Sequence, residues 1–260
     1  MTATDETIRW LPSWTRTLNE AEAGTLLDAA RGGLRLEVWA ASAHELLPQA
    51  SLERRRELIR MVREDLLDHV DGAIQETAFL RLFQAGSAHR RRSLFFGRLL
   101  ARRALISPAL DALITPALVA ASAPLAPATA GDIPAEAWDA WLRSRLKPDI
   151  GDEAFKKTRS TLQTAFADAG VLTITGARSR HTRVCHGEPD ALAFTWVVVD
   201  ELVQRGGEAD DAWVLRDSFA SRLFGTRVEY GMAAIEAGIA AGLLRRSYLA
   251  GAPRVLAGER

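Results

Sequence analysis

The chain has 260 residues, 48% hydrophobic and 25% charged, which is ordinary for a globular protein of one large domain or two to three small ones. Its 33 basic and 33 acidic residues give a formal net charge of zero. This excludes a globally basic nucleic-acid-binding protein, so any such surface must come from local clustering.

Helical patterns fill the first 121 residues. A short helix at 21–30 ends before Gly32 and Gly33, and the brief apolar run 34–41 is expected to be extended. Ser51 is expected to cap a longer helix. Further helices are predicted at 73–84, 89–106 and 108–119. The sequence therefore predicts a helical N-terminal domain over residues 1–121.

The region around residue 95 combines basic and apolar residues. Arg90, Arg91 and Arg92 open its helix, and Phe95 and Phe96 give it a broad apolar side. We interpret it as an amphipathic helix with snorkelling arginines, and a second nucleic-acid surface remains the alternative. Charges and prolines interrupt the apolar run 94–119, whereas a membrane span needs about 20 apolar residues. We expect no membrane partner.

A cytoplasmic location is expected from two further features. The N-terminus lacks the basic region and apolar stretch of a signal peptide. The single cysteine, Cys185, excludes an intrachain disulfide and is typical of a reducing compartment.

Small and proline residues over 122–131 interrupt every periodicity and predict a linker. A helix opened by Pro134 follows. From there, one pattern occurs twice, at 152–187 and 225–258: an amphipathic helix, a stop at Gly170 or Gly242, and two short strands. This is the second half of a winged helix. We predict a mainly α fold, with winged-helix-like units and short β-ribbons at 132–187 and 188–260.

The first copy of this pattern carries the candidate nucleic-acid site. In a helix over 152–169, Phe155, Leu162 and Phe166 share one side. Positively charged and short polar side chains lie on the opposite, outward-facing side. The turn that follows is rich in arginine, as a wing that contacts phosphate requires. The predicted DNA-binding residues are Lys156, Lys157, Arg159, Ser160 and Gln163 on the helix and Arg178, Arg180, His181 and Arg183 on the wing.

The second copy differs in charge. Tyr230, Met232 and Ile235 give its helix an apolar face, and Glu229 and Glu236 are acidic, so phosphate contact by that face is disfavoured. Arg245, Arg246 and Arg254 could still contact the DNA backbone from the ribbon. Packing or docking of a partner protein is the expected role.

The sequence lacks the usual signatures of catalysis and metal binding. It has no glycine-rich phosphate loop, no Gly-x-Ser-x-Gly elbow and no His-Glu-x-x-His helix. The spacing of His181, Cys185 and His186 could bring two or three ligands to zinc, but there is no second cluster of such residues. We expect no catalytic residue, no metal and no cofactor, and therefore no enzyme.

The runs RRRSLFFGRLLARRALISPALDALITPAL, IPAEAWDAWLRSRL and DEAFKKTRSTLQTAFADAGVL resemble the BrxA-like proteins of bacterial BREX phage-resistance systems. The resemblance covers roughly residues 51–172 and concerns pattern rather than an invariant motif. The chain departs from the family in having no tryptophan at the start of the helix with Lys156 and Lys157. It also has Val171 where leucine is more frequent.

The resemblance implies a non-enzymatic, DNA-binding accessory component of a multi-protein defence complex. Double-stranded DNA and other defence-system proteins are the expected partners, and binding is expected to occur mainly through phosphates. Two alternatives remain open: a winged-helix transcriptional regulator, and a protein-interaction adaptor that does not bind DNA.

Overall fold

The computed structural model describes residues 20–48, 51–103, 105–175, 181–249 and 252–258. The fold is 61% helical and 14% strand, which confirms the prediction of a mainly α protein. The described residues form two compact units. Unit 1 consists of 103–188 and 222–226, and unit 2 of the rest. The expected linker, 122–131, lies within unit 1 rather than between the units.

Unit 2 begins with five helices and one hairpin. They are α1 (Glu20–Ala29), α2 (Leu36–Leu46), α3 (Leu52–Asp65), β1 (His69–Val70), β2 (Ala73–Ile74), α4 (Ala78–Gln84) and α5 (Ala88–Ala101). Ser51 accepts a hydrogen bond from the backbone N–H of Arg54, which confirms the predicted cap of α3.

Two predictions for this region are wrong. Residues 34–41 are mostly helical rather than extended, because Trp39 and Ala43 bury one side of α2 and the Trp39 indole donates to the Leu26 carbonyl at 3.1 Å. The helix predicted from residue 73 begins only at Ala78. Asp71 and Gly72, both with positive φ, form a two-residue hairpin turn between β1 and β2 instead.

Unit 1 begins with a broken helical segment. It consists of α6 (Ile106–Ala109), a π-helical turn (Leu110–Ile114) and α7 (Thr115–Ser122). Pro116 cannot donate a backbone hydrogen bond, and the irregular turn lies just before it. Among the described residues, no single helix is long and apolar enough to cross a membrane. Helix α5 and the segment Ile106–Ser122 reach that length and composition only when taken together, and they are separated by a sharp bend.

Two stretches of the chain have a similar order of elements, and the second has one more helix than the first. The first module has α7, β3 (Asp132–Ile133), α8 (Ala135–Arg145), α9 (Asp152–Asp168), β4 (Leu172–Thr175) and β5 (His181–Val184). The second has α10 (Ala191–Gln204), β6 (Glu208–Asp210), α11 (Asp211–Arg216), α12 (Phe219–Phe224), α13 (Val228–Ala240), β7 (Leu244–Leu249) and β8 (Ala252–Ala257). The sheet orders are β3-β5-β4 and β6-β8-β7, so in each module an early strand pairs with the last one.

The helix stop is the same in both modules. Gly170 and Gly242 have φ of 87° and 76°, the left-handed conformation that glycine adopts without strain. The backbone N–H of the next residue donates a hydrogen bond to a carbonyl in the last helical turn. Val171 donates to Phe166, and Leu243 donates to Gly238. The predicted repeat of helix, glycine stop and ribbon is confirmed. The sequence patterns gave no indication of β3 or β6.

The modules hold their helices and sheets together differently. In the first, the buried Trp138 indole donates to the Thr182 hydroxyl at 2.9 Å, and that hydroxyl donates to the Ile133 carbonyl at 2.9 Å. In the second, the Thr195 hydroxyl on α10 donates to the Ala234 carbonyl of α13 at 2.8 Å. Gly238 lets these two helices approach, because a Cβ there would lie 2.2 Å from Thr195 Cγ2.

Candidate nucleic-acid interface

Helix α9 presents two exposed lysines in its first half. Lys156 and Lys157 are both exposed, and neither has an ion-pair partner among the residues that the structure describes. Asp152 and Glu153 occupy the first turn, where carboxylates stabilise the positive end of the helix dipole. The two ammonium groups are therefore available to an outside anion.

Arg159 is already engaged. Its guanidinium donates to the Asp139 carboxylate of α8 at 2.7 Å, and its side chain is only 18% exposed. The pair joins α8 to α9, so the cation is largely neutralised before any ligand arrives. Ser160, one residue along, is half-buried.

Gln163 does not lie on the outward face, contrary to the expectation for it. It is 0% exposed, and neither its Oε1 nor its Nε2 has a hydrogen-bond partner among the described residues. It is three residues from the fully buried Phe166, at the edge of a buried side that is wider than the apolar residues alone indicate. Contact between Gln163 and base edges would require the side chain to leave this site.

The ribbon carries fewer free charges than the sequence indicates. Arg178 and Arg180 lie outside the described residues, and His181 is exposed on β5. Arg183 is exposed, but its guanidinium donates two hydrogen bonds to the Asp132 carboxylate of β3, with N···O distances of 2.6 and 3.1 Å. These hydrogen bonds hold the pKa of the Asp132 carboxyl below its ordinary value and raise the pKa of Arg183.

Three further exposed cations lie near the start of α9 in sequence, and the sequence analysis missed them. Arg143, Arg145 and Lys147 are exposed at the end of α8 and just beyond it, and no ion pair involves them within the described chain. The Arg143 guanidinium lies 4.8 Å from the centre of the Phe155 ring, the residue before Lys156. The run LRSRLK was the available signal, since it alternates basic residues just ahead of the lysine helix.

The corresponding basic residues of the second module are mostly paired. Arg246 bonds to Asp211 at 2.6 Å and also to Glu236, and Arg254 lies 3.2 Å from Glu208. Arg245 is exposed. The same module exposes large apolar side chains: Val228, Met232, Tyr248 and Leu249 are 45%, 55%, 70% and 61% exposed.

The arginines that open α5 serve the fold of unit 2. Arg90 donates to Asp190 at 2.9 Å, and Arg91 donates to Asp28 at 2.8 Å while its guanidinium lies over Phe83. The Arg92 guanidinium lies 5.7 Å from the centre of the Phe96 ring. Arg90 and Arg91 therefore have local partners that compete with any nucleic acid.

The residues considered for zinc have other contacts. The His186 Nδ1 lies 2.7 Å from the Gly225 carbonyl oxygen, and its Nε2 lies 3.2 Å from the Ser122 hydroxyl. Cys185 donates to the Gly170 carbonyl at 3.1 Å, and burial raises the pKa of its thiol. Among the described residues, no three His, Cys, Asp or Glu side chains cluster as metal ligands would.

No protein-family model and no curated protein matches the chain. Two solved structures share its fold: an SspB crystal structure, with a TM-score of 0.51, and a magnesium-bound SspB crystal structure, with a TM-score of 0.50. Each is 15% identical to this chain, and each alignment covers 99% of this chain and 83% of the SspB chain. At this identity the likeness concerns the fold alone.

Proposed function

We propose that this chain is a non-enzymatic, DNA-binding accessory component of a bacterial anti-phage defence system of the BREX type. It works in the cytoplasm with other defence-system proteins and binds duplex DNA mainly through phosphates. The observation that carries the proposal is the set of exposed cations on α9 and at the end of α8 that have no ion-pair partner within the described residues.

The topology of the first module supports this function. We infer a winged helix from its helix, short strand, two helices and two-stranded ribbon, with the early strand beside the last. In a winged helix, the counterpart of α9 enters the major groove. The predicted wing, between β4 and β5, lies outside the described residues. Lys156 and Lys157 lie on α9.

The free charges favour contact with phosphate over reading of bases. Arg143, Arg145, Lys147, Lys156 and Lys157 can each neutralise a phosphate and release its counterion. The buried Gln163 and the half-buried Ser160 offer little to base edges. Low sequence specificity follows, which distinguishes this protein from a transcriptional regulator with a palindromic operator.

The defence assignment rests on two resemblances. The sequence pattern is similar to the BrxA-like proteins, and the fold is similar to SspB, a component of a phage-defence system. Both point to a defence complex rather than to an isolated DNA-binding protein.

The test is the salt dependence of binding to a non-specific DNA duplex. Replacing both Lys156 and Lys157 with alanine should reduce the slope of log K against log salt concentration by about two, because two phosphate contacts are lost. The matched control replaces Arg216 and Arg227, exposed cations of the second module, with alanine. Both double variants lose two positive charges, but only the lysine variant should change the slope. An unchanged slope for the lysine variant would overturn the assignment.

A protein-interaction adaptor is the second candidate function. The exposed Met232, Tyr248 and Leu249 of the second module favour it, since large apolar side chains on a surface are typical of docking sites. An adaptor of this kind does not retard duplex DNA in a gel at low salt, whereas the proposed DNA-binding protein does.

A further inference from the structure

Unit 2 contains a cavity far in sequence from the lysine surface of the first module. Its volume is about 460 Å³, within the range of pockets that hold small ligands. Helices α5 and α10 form two of its walls, and the segment from Asp68 through the β1–β2 hairpin to Ala78 forms another. The contacts described so far assign no role to it.

One wall carries a buried cation. Arg98 is 3% exposed, and its guanidinium lies 5.3 Å from the centre of the Phe79 ring and 5.5 Å from that of Trp196. It donates to the Asp68 carboxylate at 2.6 Å, but its Nε has no partner among the described residues. Burial lowers the pKa of this guanidinium; the charges of Asp68 and Asp200 oppose that shift, and the charge of Arg102 adds to it.

Arg98 and Arg102 share one carboxylate. Arg102 lies one turn after Arg98, and its guanidinium also donates to Asp68 Oδ1, at 3.3 Å. Two cations therefore contact the Asp68 carboxylate, and the charge of Asp200 also acts on Arg98. An additional anion, such as a phosphate, would be stabilised by both guanidinium groups, which suit such groups well through paired N–H donors.

Helix α10 supplies a different chemistry. Asp200 and Gln204 line the cavity one turn apart, and the Gln204 amide donates to the Asp200 carboxylate over a long 3.4 Å. Asp200 can accept hydrogen bonds from amino groups, and Gln204 can both donate and accept. Val70, Ala78 and Val199 supply apolar surface to the cavity wall.

We propose that this cavity binds a nucleoside monophosphate, with the phosphate at Arg98 and Arg102 and an amino group of the base at Asp200. The two arginines, the apolar walls and the acidic helix match the three parts of such a molecule. The site is separate from the proposed DNA surface and does not depend on it.

The test is calorimetric titration of the full chain with AMP, with inorganic phosphate, adenosine and UMP as comparison ligands. AMP should bind at least about tenfold tighter than phosphate or adenosine, since each of these lacks one end of the ligand. UMP should bind more weakly than AMP because its base has no amino group for Asp200. Binding of AMP no tighter than that of inorganic phosphate, or no AMP binding at all, overturns the proposal.

Variants assign the binding to this cavity. Arg102→Gln should weaken AMP binding at least about tenfold, and its side chain is 38% exposed, so the fold should tolerate the change. Arg92→Gln is the matched control on the exposed side of the same helix and should bind AMP normally. Asp200→Asn should reduce the preference for AMP over UMP. The variant in which alanine replaces Lys156 and Lys157 should bind AMP with the same affinity as the unaltered chain. Equal affinity of the Arg102 and Arg92 variants would exclude this site.

Discussion

The two modules have a similar order of elements, with one more helix in the second, and different surface chemistry. Lys156 and Lys157 of the first have no ion-pair partner in the part of the chain that the structure describes. The second pairs Arg246 and Arg254 with acids and exposes apolar side chains. Topology and the glycine stop are therefore shared, but neither decides function. What differs is whether each basic side chain has an acidic partner nearby, and that depends on residues distant in sequence.

The cores of the modules also differ, and this makes the comparison testable. The first depends on a hydrogen-bonded link from Trp138 through Thr182 to Ile133. The second depends on close approach of α10 and α13 at Gly238. The stability of the first core should therefore fall when a hydrogen-bonding partner is removed. The stability of the second should fall when a larger side chain is placed between its two helices.

The largest expected effect is that of Gly238→Ala. The new Cβ would lie 2.2 Å from Thr195 Cγ2 and 2.7 Å from its hydroxyl, so α10 and α13 must separate. The free energy of unfolding, measured by urea denaturation, should fall by about 3 kcal/mol. Thr195→Ala in the same chain should restore part of that loss, because it removes the two nearest of the three clashing atoms and leaves only the residue's Cβ, at 2.9 Å. Additive effects of the two substitutions would refute the proposed close contact.

Thr182→Val should have a somewhat smaller effect. Valine has a similar shape but leaves the Trp138 Nε1–H buried without an acceptor and removes the bond to Ile133. The expected loss in the free energy of unfolding is about 2 kcal/mol. Thr173→Val is the matched control, because Thr173 is exposed on β4 and its change should cost less than about 0.5 kcal/mol. Similar losses for the two variants would contradict a special role for Thr182.

Local signals in the sequence were sufficient for part of the fold. Ser51 caps its helix through its own side chain, and Gly170 and Gly242 end theirs by taking a backbone conformation that other residues avoid. These features depend on neighbouring residues only. The run 34–41 was misassigned because its helical form depends on Trp39 reaching Leu26, 13 residues away. Strands β3 and β6 are too short for a periodicity and exist because they pair with β5 and β8.

The candidate site was predictable to a similar extent. Lys156 and Lys157 were identified by helical spacing, and the structure leaves them exposed. Arg159 and Arg183 looked equally available, but their acidic partners, Asp139 and Asp132, lie 20 and 51 residues away in the chain. Gln163 was placed on the wrong side because the width of the buried side of α9 depends on what packs against it. Charge pairing and burial are tertiary properties that periodicity does not encode.

The smallest expected effect comes from the Asp132–Arg183 pair of the first module. Its carboxyl has a lowered pKa because Arg183 donates to it, so the pair stabilises the fold above the ordinary carboxyl pKa of about 4. That stabilisation is lost as the pH falls through the lowered pKa. Asp132→Asn should therefore be less stable than the unaltered chain near neutral pH, and the difference should vanish in acid.

Urea denaturation of both chains from about pH 6 to about pH 2 measures this difference. In the Arg183→Gln background, Asp132→Asn should change stability little at any pH, because the carboxylate has already lost its donor. Since both side chains are well exposed, added salt should reduce the difference between the two chains at neutral pH. A difference that persisted unchanged in acid would mean that Asp132 stabilises β3 by some means other than its charge, and Arg183 would then be freer for phosphate than its geometry indicates.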